Sequence, residues 1–335
     1  MIVALCGLLP CAVLLGLSTG AVNIPPGEVL RALGNAIAQG SADQSTIIVS
    51  QIRLPRILLA AVIGAALAMS GAAMQGLFRN PLADPSLIGV TSGASLGAAL
   101  VIVTGGAMLQ GYTGLTLVSA GAFIGGVIAV LFVYRLATSP SGTSVATMLL
   151  AGIAITAFSG ALGSLLEFFS DNDMLRRISL WKMGGLDGAN FPRLLVATAV
   201  CGALLIVLPR YAEALNALLL GESEARHLGI PVDRVKIGLI TWVAVGVGTS
   251  VAMVGTIAFV GLVVPHIVRM LAGPDHRHLL PASALAGALL LVVADVLARV
   301  LVAPTELPVG VITAIIGVPF FISLLRSRHQ YGMQS

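Results

Sequence analysis

RLPRILLAAVIGAALAMSGAAMQGLFRNPLADPSLIGVTSGA, residues 53–94, decides the fold. Residues 56–77 within it form an apolar run of the length that crosses a membrane. About 20 apolar residues in a helix cover the hydrocarbon core. In lipid every backbone N–H and C=O has to be satisfied inside the protein, which makes the helix the natural spanning element. A second run, 87–106, follows, but GVTSGAS interrupts it, so irregular backbone is expected at its start.

The rest of the chain repeats this pattern. It has 335 residues, 57% of them hydrophobic and 10% charged, with a mean hydropathy of +1.02. A soluble domain is roughly 45–50% apolar and about 25% charged. The ten-residue alternation of a membrane β-barrel is absent. Ten spanning helices are predicted, at 2–21, 56–77, 87–106, 114–136, 144–168, 192–209, 236–253, 257–272, 279–300 and 308–325. The fold class is an all-α integral membrane protein, with residues 1–335 as one domain. The first run lacks a basic start and is near 20 residues, so it reads as a span rather than a secretory signal. The eighth span is short and carries Pro265 and His266, which requires protein or a water-filled cavity around the freed backbone groups.

The 39 glycines suit close helix packing in lipid, and Gly93/Gly97 and Gly121/Gly125 have the small-xxx-small spacing. Cys6, Cys11 and Cys201 lie in apolar runs without metal-ligand spacing. Asp275, His276 and His278 fall in a turn, and no metal site is expected there. With the N-terminus inside, ten Lys/Arg fall in inner loops and eight in outer ones, a weak positive-inside bias. So many outer cations call for a negatively charged partner or substrate on that side. GAALAMSGAAMQGLFRNP (64–81) aligns with GTSVAMVGTIAFVGLVVP (248–265) with five identities in eighteen. Repeated halves are common in transporters.

Two polar stretches are amphipathic rather than spanning, IPPGEVLRALGNAIAQG after the first span and NDMLRRISLWKMGGLDG after the fifth. A third, GESEARHLGIPVDRVK (221–236), concentrates six charges in a chain that avoids them. Before it, Leu215, Leu218, Leu219 and Leu220 give an apolar face. Gly221 ends that helix. Glu222 and Glu224 open the next near its positive end, and Gly229 and Pro231 stop it.

The block 53–94 resembles the signature of the iron-chelate, haem and cobalamin permeases of bacterial ABC importers. LLGESEARHLGIPV (219–232), GTIAFVGLVVPHIVRMLAGPDHRHLLP (255–281) and ADVLARVLVAPTELPVGVITAIIGVPFFISLL (294–325) resemble three further family blocks, in the family's order. The resemblance implies a type II ABC importer fold with ten transmembrane helices per subunit. It implies a homodimer in the bacterial inner membrane, with the pathway at the dimer axis. Two ATPase subunits would bind below and a periplasmic binding protein above. ATP would sit on the partner chains, with no intrinsic cofactor and no nucleic acid. Residues 213–235 would form two cytoplasmic coupling helices in a groove of the ATPase, drawing on Leu218, Leu219, Gly221, Glu222, Glu224, Arg226 and Gly229. A helix seated in a groove uses apolar anchors, while charges set its register.

By motif position, Arg53, Arg56 and Arg299 would meet acidic groups of the binding protein. Arg53 and Arg56 could instead snorkel at a helix end, and Arg299 could pair with Asp295 at i,i+4. SDNDMLRRISLWKMGG (170–185) resembles the haem-importing branch. That implies haem as the transported substrate, with Arg176 on its route and Arg177 and Lys182 as secondary candidates. A guanidinium fork suits a carboxylate and stacks on a planar ring. These cations could equally be interfacial anchors, with Trp181 as a belt residue. Met69, with Met74 and Met253, could line a soft channel or pack in the core.

Other classes fit less well. The chain has no P-loop, so ATP hydrolysis would need a separate subunit. An ion-coupled transporter usually keeps ionisable groups near the membrane midplane, whereas Glu167 and Asp295 fall near span ends. HExxH and paired acids within a span are absent, which argues against an intramembrane enzyme. Ferric siderophore and cobalamin stand behind haem as substrates.

Overall fold

The computed structural model describes residues 1–38, 43–105, 111–139 and 142–332. Among these, six helices are long and apolar enough to cross a membrane, and four shorter apolar helices join them. One falls at each of the ten predicted spans. The chain is an all-α, multi-pass membrane protein.

Helix α1 (Ile2–Ser18) is followed by the amphipathic α2 (Pro26–Ile37), which buries Val29 and Ala32 and exposes Leu30 and Ile37. Pro26 at its start is pre-organised for a first helical turn. Asp43 caps the short α3 (Gln44–Ile47), which passes through a π-helical stretch, Ile48–Arg53, into α4 (Leu54–Leu77). Then come α5 (Val90–Gly105), α6 (Gly111–Ala137), a two-stranded hairpin of β1 (Thr138–Ser139) and β2 (Gly142–Thr143), and α7 (Val145–Phe168). Helix α8 (Asn172–Met183) is the second amphipathic stretch, capped by Asp171. Helices α9 (Phe191–Val207), α10 (Ala212–Leu220), α11 (Glu222–His227) and α12 (Val232–Val254) follow. The chain closes with α13 (Val260–Ala272), α14 (His276–Val300) and α15 (Val309–Gly332).

The irregular backbone expected at the start of the third span is there, and it ends on the first residue of GVTSGAS. A 3-10 turn, Pro85–Ile88, ends on Gly89 at φ 81°, and the helix runs unbroken from Val90. Gly89 takes the left-handed backbone that a side chain resists. The polar residue next to the break is satisfied locally, because Ser92 Oγ donates to the Gly89 carbonyl at 3.0 Å.

Helix α4 is the centre of the bundle. It packs against α14, α13, α9 and α12, and 83% of its most apolar window is buried. From Ile63 to Leu77 the helix is buried all round, and that requires neighbours at backbone distance. Glycine supplies that: a Cβ on Gly71 would run into the Gly261 carbonyl of α13, and one on Gly64 into the Gly287 carbonyl of α14. Small residues allow this approach where no hydrophobic effect drives helices together. The two glycine pairs noted in the sequence meet each other, since Gly93 and Gly97 of α5 lie against Gly125 and Gly121 of α6. The sequence echo does not repeat as structure. Gly71 lies inside α4, whereas its counterpart Gly255 ends α12 at φ 73°.

Gly71→Val is expected to abolish the monodisperse peak of the detergent-solubilised protein in size-exclusion chromatography. Gly27→Ala, where a new Cβ meets nothing within 4 Å, is expected to leave it unchanged.

Candidate functional site

Polar side chains gather at the two ends of the bundle. At the end that carries α8, three arginines and two acids converge from distant parts of the chain. Arg56 Nε donates to Asp295 Oδ1 at 2.8 Å, and its Nη1 to Glu306 Oε2 at 2.7 Å. Arg299 Nε donates to the other oxygen, Asp295 Oδ2, at 3.0 Å. Arg299 also reaches the carbonyls of Thr19 at 2.8 Å and Gly16 at 3.0 Å. Arg53 donates to the Leu17 carbonyl at 2.7 Å and to that of Val22. Three cations outnumber two carboxylates, and the remaining compensation comes from the carbonyls at and beyond the end of α1. Those are the unsatisfied acceptors and the negative pole of a helix.

Arg53, Arg56 and Arg299, expected to meet acidic groups of a binding protein, are turned into the subunit here. All three are buried, and each guanidinium is engaged inside the subunit. The i,i+4 alternative for Arg299 with Asp295 is the geometry observed. Only the Arg56–Glu306 pair reaches the rim, through a Glu306 side chain 45% exposed.

Beside this network lies a cavity of about 560 Å³, within the roughly 300–1,000 Å³ common for small-molecule sites. Its walls include Arg56, Arg177, Trp181, Arg193, Met253 and Glu306. Arg193, in the first turn of α9, donates to the Met253 carbonyl at 2.7 Å, Ser119 Oγ at 2.9 Å and the Gly188 carbonyl at 3.2 Å. It ties α6, the end of α12 and the α8–α9 loop together. The sequence marked it only as one more outer cation. The Asn190 cap, which accepts from the Arg193 N–H at 3.0 Å, is the signal that places it at a helix start.

Of the residues expected on a substrate route, the cavity takes Arg177 and not Arg176. Arg177 is paired with Asp173 at 2.9 Å across one turn of α8, and both side chains are well exposed. Such a pair contributes about 0–1 kcal/mol, so Arg177 can leave it for a ligand. Arg176 is exposed outside the cavity lining. Lys182 pairs with Glu167. Met69 is buried in the core with Met74 and does not line this cavity, because α4 is enclosed on all sides from Ile63 to Leu77. Met253 alone of the three methionines is at the cavity.

At the opposite end, α10 and α11 form two short helices joined at Gly221, with φ 128°. Their leucines split between two directions. Leu215 and Leu218 are buried against the bundle, so Leu218 is not available to a partner. Leu219 and Leu220 are 39% and 67% exposed, and Leu228 beyond α11 is exposed as well. Gly229, at φ 83°, terminates the pair of helices. Glu222 is bound to Lys236 at 2.6 Å and Arg226 to Asp233 at 2.9 Å. Glu224 is exposed and folds back beside Gly221. Asp275 caps α14, accepting from the Arg277 N–H and from Asn216 Nδ2. These bonds hold its carboxyl below the usual value. Because the folded form binds its proton more weakly, the stabilisation is present at neutral pH and is lost on acidification through the lowered value.

The comparisons with known proteins agree with this architecture. The chain belongs to the FecCD transport family, whose model matches residues 8–327. It is 49% identical over 280 residues to the hemin transport system permease protein HmuU of Yersinia pestis, covering 83% of each chain. It is 46% identical over 289 residues to the cobalamin import system permease protein BtuC of Halobacterium salinarum, covering 86% of this chain and 76% of that one. Among solved structures, a metal-chelate type ABC transporter in an inward-facing conformation superposes with a TM-score of 0.85 at 32% identity, covering 97% of this chain and 98% of that one. The protein is a multi-pass ABC importer permease of that family.

Asp295→Ala leaves two buried arginines without their shared carboxylate. Removing one partner of a buried ion pair costs about 3–5 kcal/mol. The variant is expected to melt well below the wild type in a detergent thermal-shift assay, whereas Glu306→Gln at the rim is expected to shift the midpoint little.

Proposed function

We propose that this chain moves haem from a periplasmic binding protein to the cytoplasm. It works as a homodimer in the bacterial inner membrane, driven by two ATPase subunits. The carrying observation is the cavity at the α8 end, which combines the exchangeable guanidinium of Arg177 with the indole of Trp181. Haem is a flat apolar ring with two carboxylates. A guanidinium can pair with the carboxylates and stack on the ring, and the aromatic wall adds apolar area. The 49%-identical hemin permease supports the same substrate. Cobalamin is the second reading, favoured by the 46%-identical relative, and a ferric siderophore the third. The α8 end then faces the periplasm and the α10–α11 end the cytoplasm. The binding protein docks over the rim where Arg56 meets Glu306. Arg53 and Arg299 support that rim from inside. The ATPase groove receives Leu219, Leu220 and Leu228, with Glu224 at its edge.

The test is ATP-dependent uptake into proteoliposomes that hold the chain with its ATPase, with the binding protein added. Haem, cobalamin and a ferric siderophore are offered in parallel. Haem accumulation is expected; accumulation of cobalamin or siderophore alone would overturn the haem reading. Arg177→Ala is expected to cut haem uptake by about tenfold, the scale of one charge-assisted hydrogen bond, with the complex intact. Arg176→Ala is expected to fall less, and the reverse order would return the route to Arg176. Leu219→Asp with Leu220→Asp is expected to release the ATPase during co-purification.

A further inference from the structure

Lys236 is a charged side chain near the start of α12, and it is 3% exposed. Its Nζ donates to the Thr143 carbonyl of β2 at 2.9 Å and pairs with Glu222 Oε1 of α11 at 2.6 Å. It therefore lies between two segments that are far apart in sequence. On one side is the first residue of α11. On the other is the hairpin that feeds α7, because Ser144, next to Thr143, is the N-cap of α7 and accepts from the Thr147 N–H. The hairpin is closed by Thr138 Oγ1 and Thr143 Oγ1, 3.1 Å apart.

A second contact brings the same three parts together. Asp233, on the first turn of α12, binds Arg226 of α11 through Oδ2. Its Oδ1 is buried, has no hydrogen-bond partner among the described residues, and lies 3.1 Å from where a Cβ on Gly142 would stand. The hairpin glycine, α11 and α12 are thus in direct juxtaposition.

We infer that Lys236 is a positioning residue that transmits motion of the α10–α11 pair to the β1–β2 hairpin and so to α7. The inference rests on the reading of α10 and α11 as the ATPase-docking helices. The physical basis is the cost of an under-paired buried charge. An ammonium has three donors and no acceptor, and a buried one tolerates loss of a partner poorly. When α11 moves, Lys236 keeps both Glu222 and Thr143 only if the hairpin moves as well. An apolar side chain of similar length fills the space and carries no such obligation. Helix α7 is a suitable recipient. Only 22% of its most apolar window is buried inside the subunit, and its main contacts there are with α5, α6 and the Pro85–Ile88 turn.

The test compares wild type with Lys236→Met, Lys236→Arg and Glu222→Gln. Each is purified with its ATPase and studied in proteoliposomes with the binding protein. The probe is haem, or cobalamin if wild-type vesicles accumulate that instead. Lys236→Met is expected to retain the ATPase and to hydrolyse ATP within about twofold of wild type. The chelate moved per ATP is expected to fall by about fivefold or more, the scale of a lost coupling element. Lys236→Arg, which keeps charge and donors, is expected to recover most of it. A merely structural lysine would change stability and assembly and leave that ratio unchanged. An unchanged ratio in Lys236→Met overturns the inference. If Lys236→Met does not assemble, an unchanged ratio in Glu222→Gln overturns it alone. If the doubly substituted Leu219→Asp, Leu220→Asp protein still holds its ATPase, the docking reading fails, and this inference with it.

Discussion

The backbone contact between α4 and its neighbours constrains everything else in the subunit. At Gly71 and Gly64 no side chain separates α4 from the carbonyls of α13 and α14. From Ile63 to Leu77 the helix has no lipid face to adjust, and the helices around it take their position from that seam. It also explains why the chain is rich in glycine and alanine where a soluble core would carry larger side chains. In lipid the gain comes from packing and not from removing apolar surface from water.

The two ends of this enclosed core are built differently. At the α8 end, Asp295 holds Arg56 and Arg299 at once, and the carbonyls beyond α1 take up what the carboxylates leave. Four separate segments are fixed there by charge in a dry place, where a missing partner is costly. Beside it, the cavity keeps one cation, Arg177, on an exposed and weakly held pair. At the α10–α11 end the charged pairs are mostly half-exposed, and the leucines of α10 divide between the core and the outside. A firm α8 end and a looser α10–α11 end suit a permease in which one side holds while the other moves.

Much of this was legible in the sequence because it depends on period and length. Ten apolar runs became ten apolar helices, and Gly93/Gly97 found Gly121/Gly125. Gly221 and Gly229 marked the ends of the two short helices. What was not legible depended on which way a side chain turns. Arg53, Arg56 and Arg299 stand at motif positions that the family resemblance assigns to meeting a partner's acids, yet they turn inward because Asp295 and the carbonyls after α1 are there to receive them. Leu218 differs from Leu219 by 100° of helix rotation, which no composition reveals. Lys236 was counted as an inner-loop cation. Its isolation at the head of an apolar helix was a signal of burial, but its partners Thr143 and Glu222 lie 93 and 14 positions away.

The enclosure of α4 is the central claim, and lipid access measures it most directly. The assembled complex would be placed in bilayers containing a photoactivatable phospholipid, irradiated, digested and mapped by mass spectrometry. Adducts on α9, whose Leu195 and Ile206 are exposed, together with an unlabelled stretch from Ile63 to Leu77, all of it buried, are the result this account predicts. Lipid adducts between Ile63 and Leu77 would contradict it.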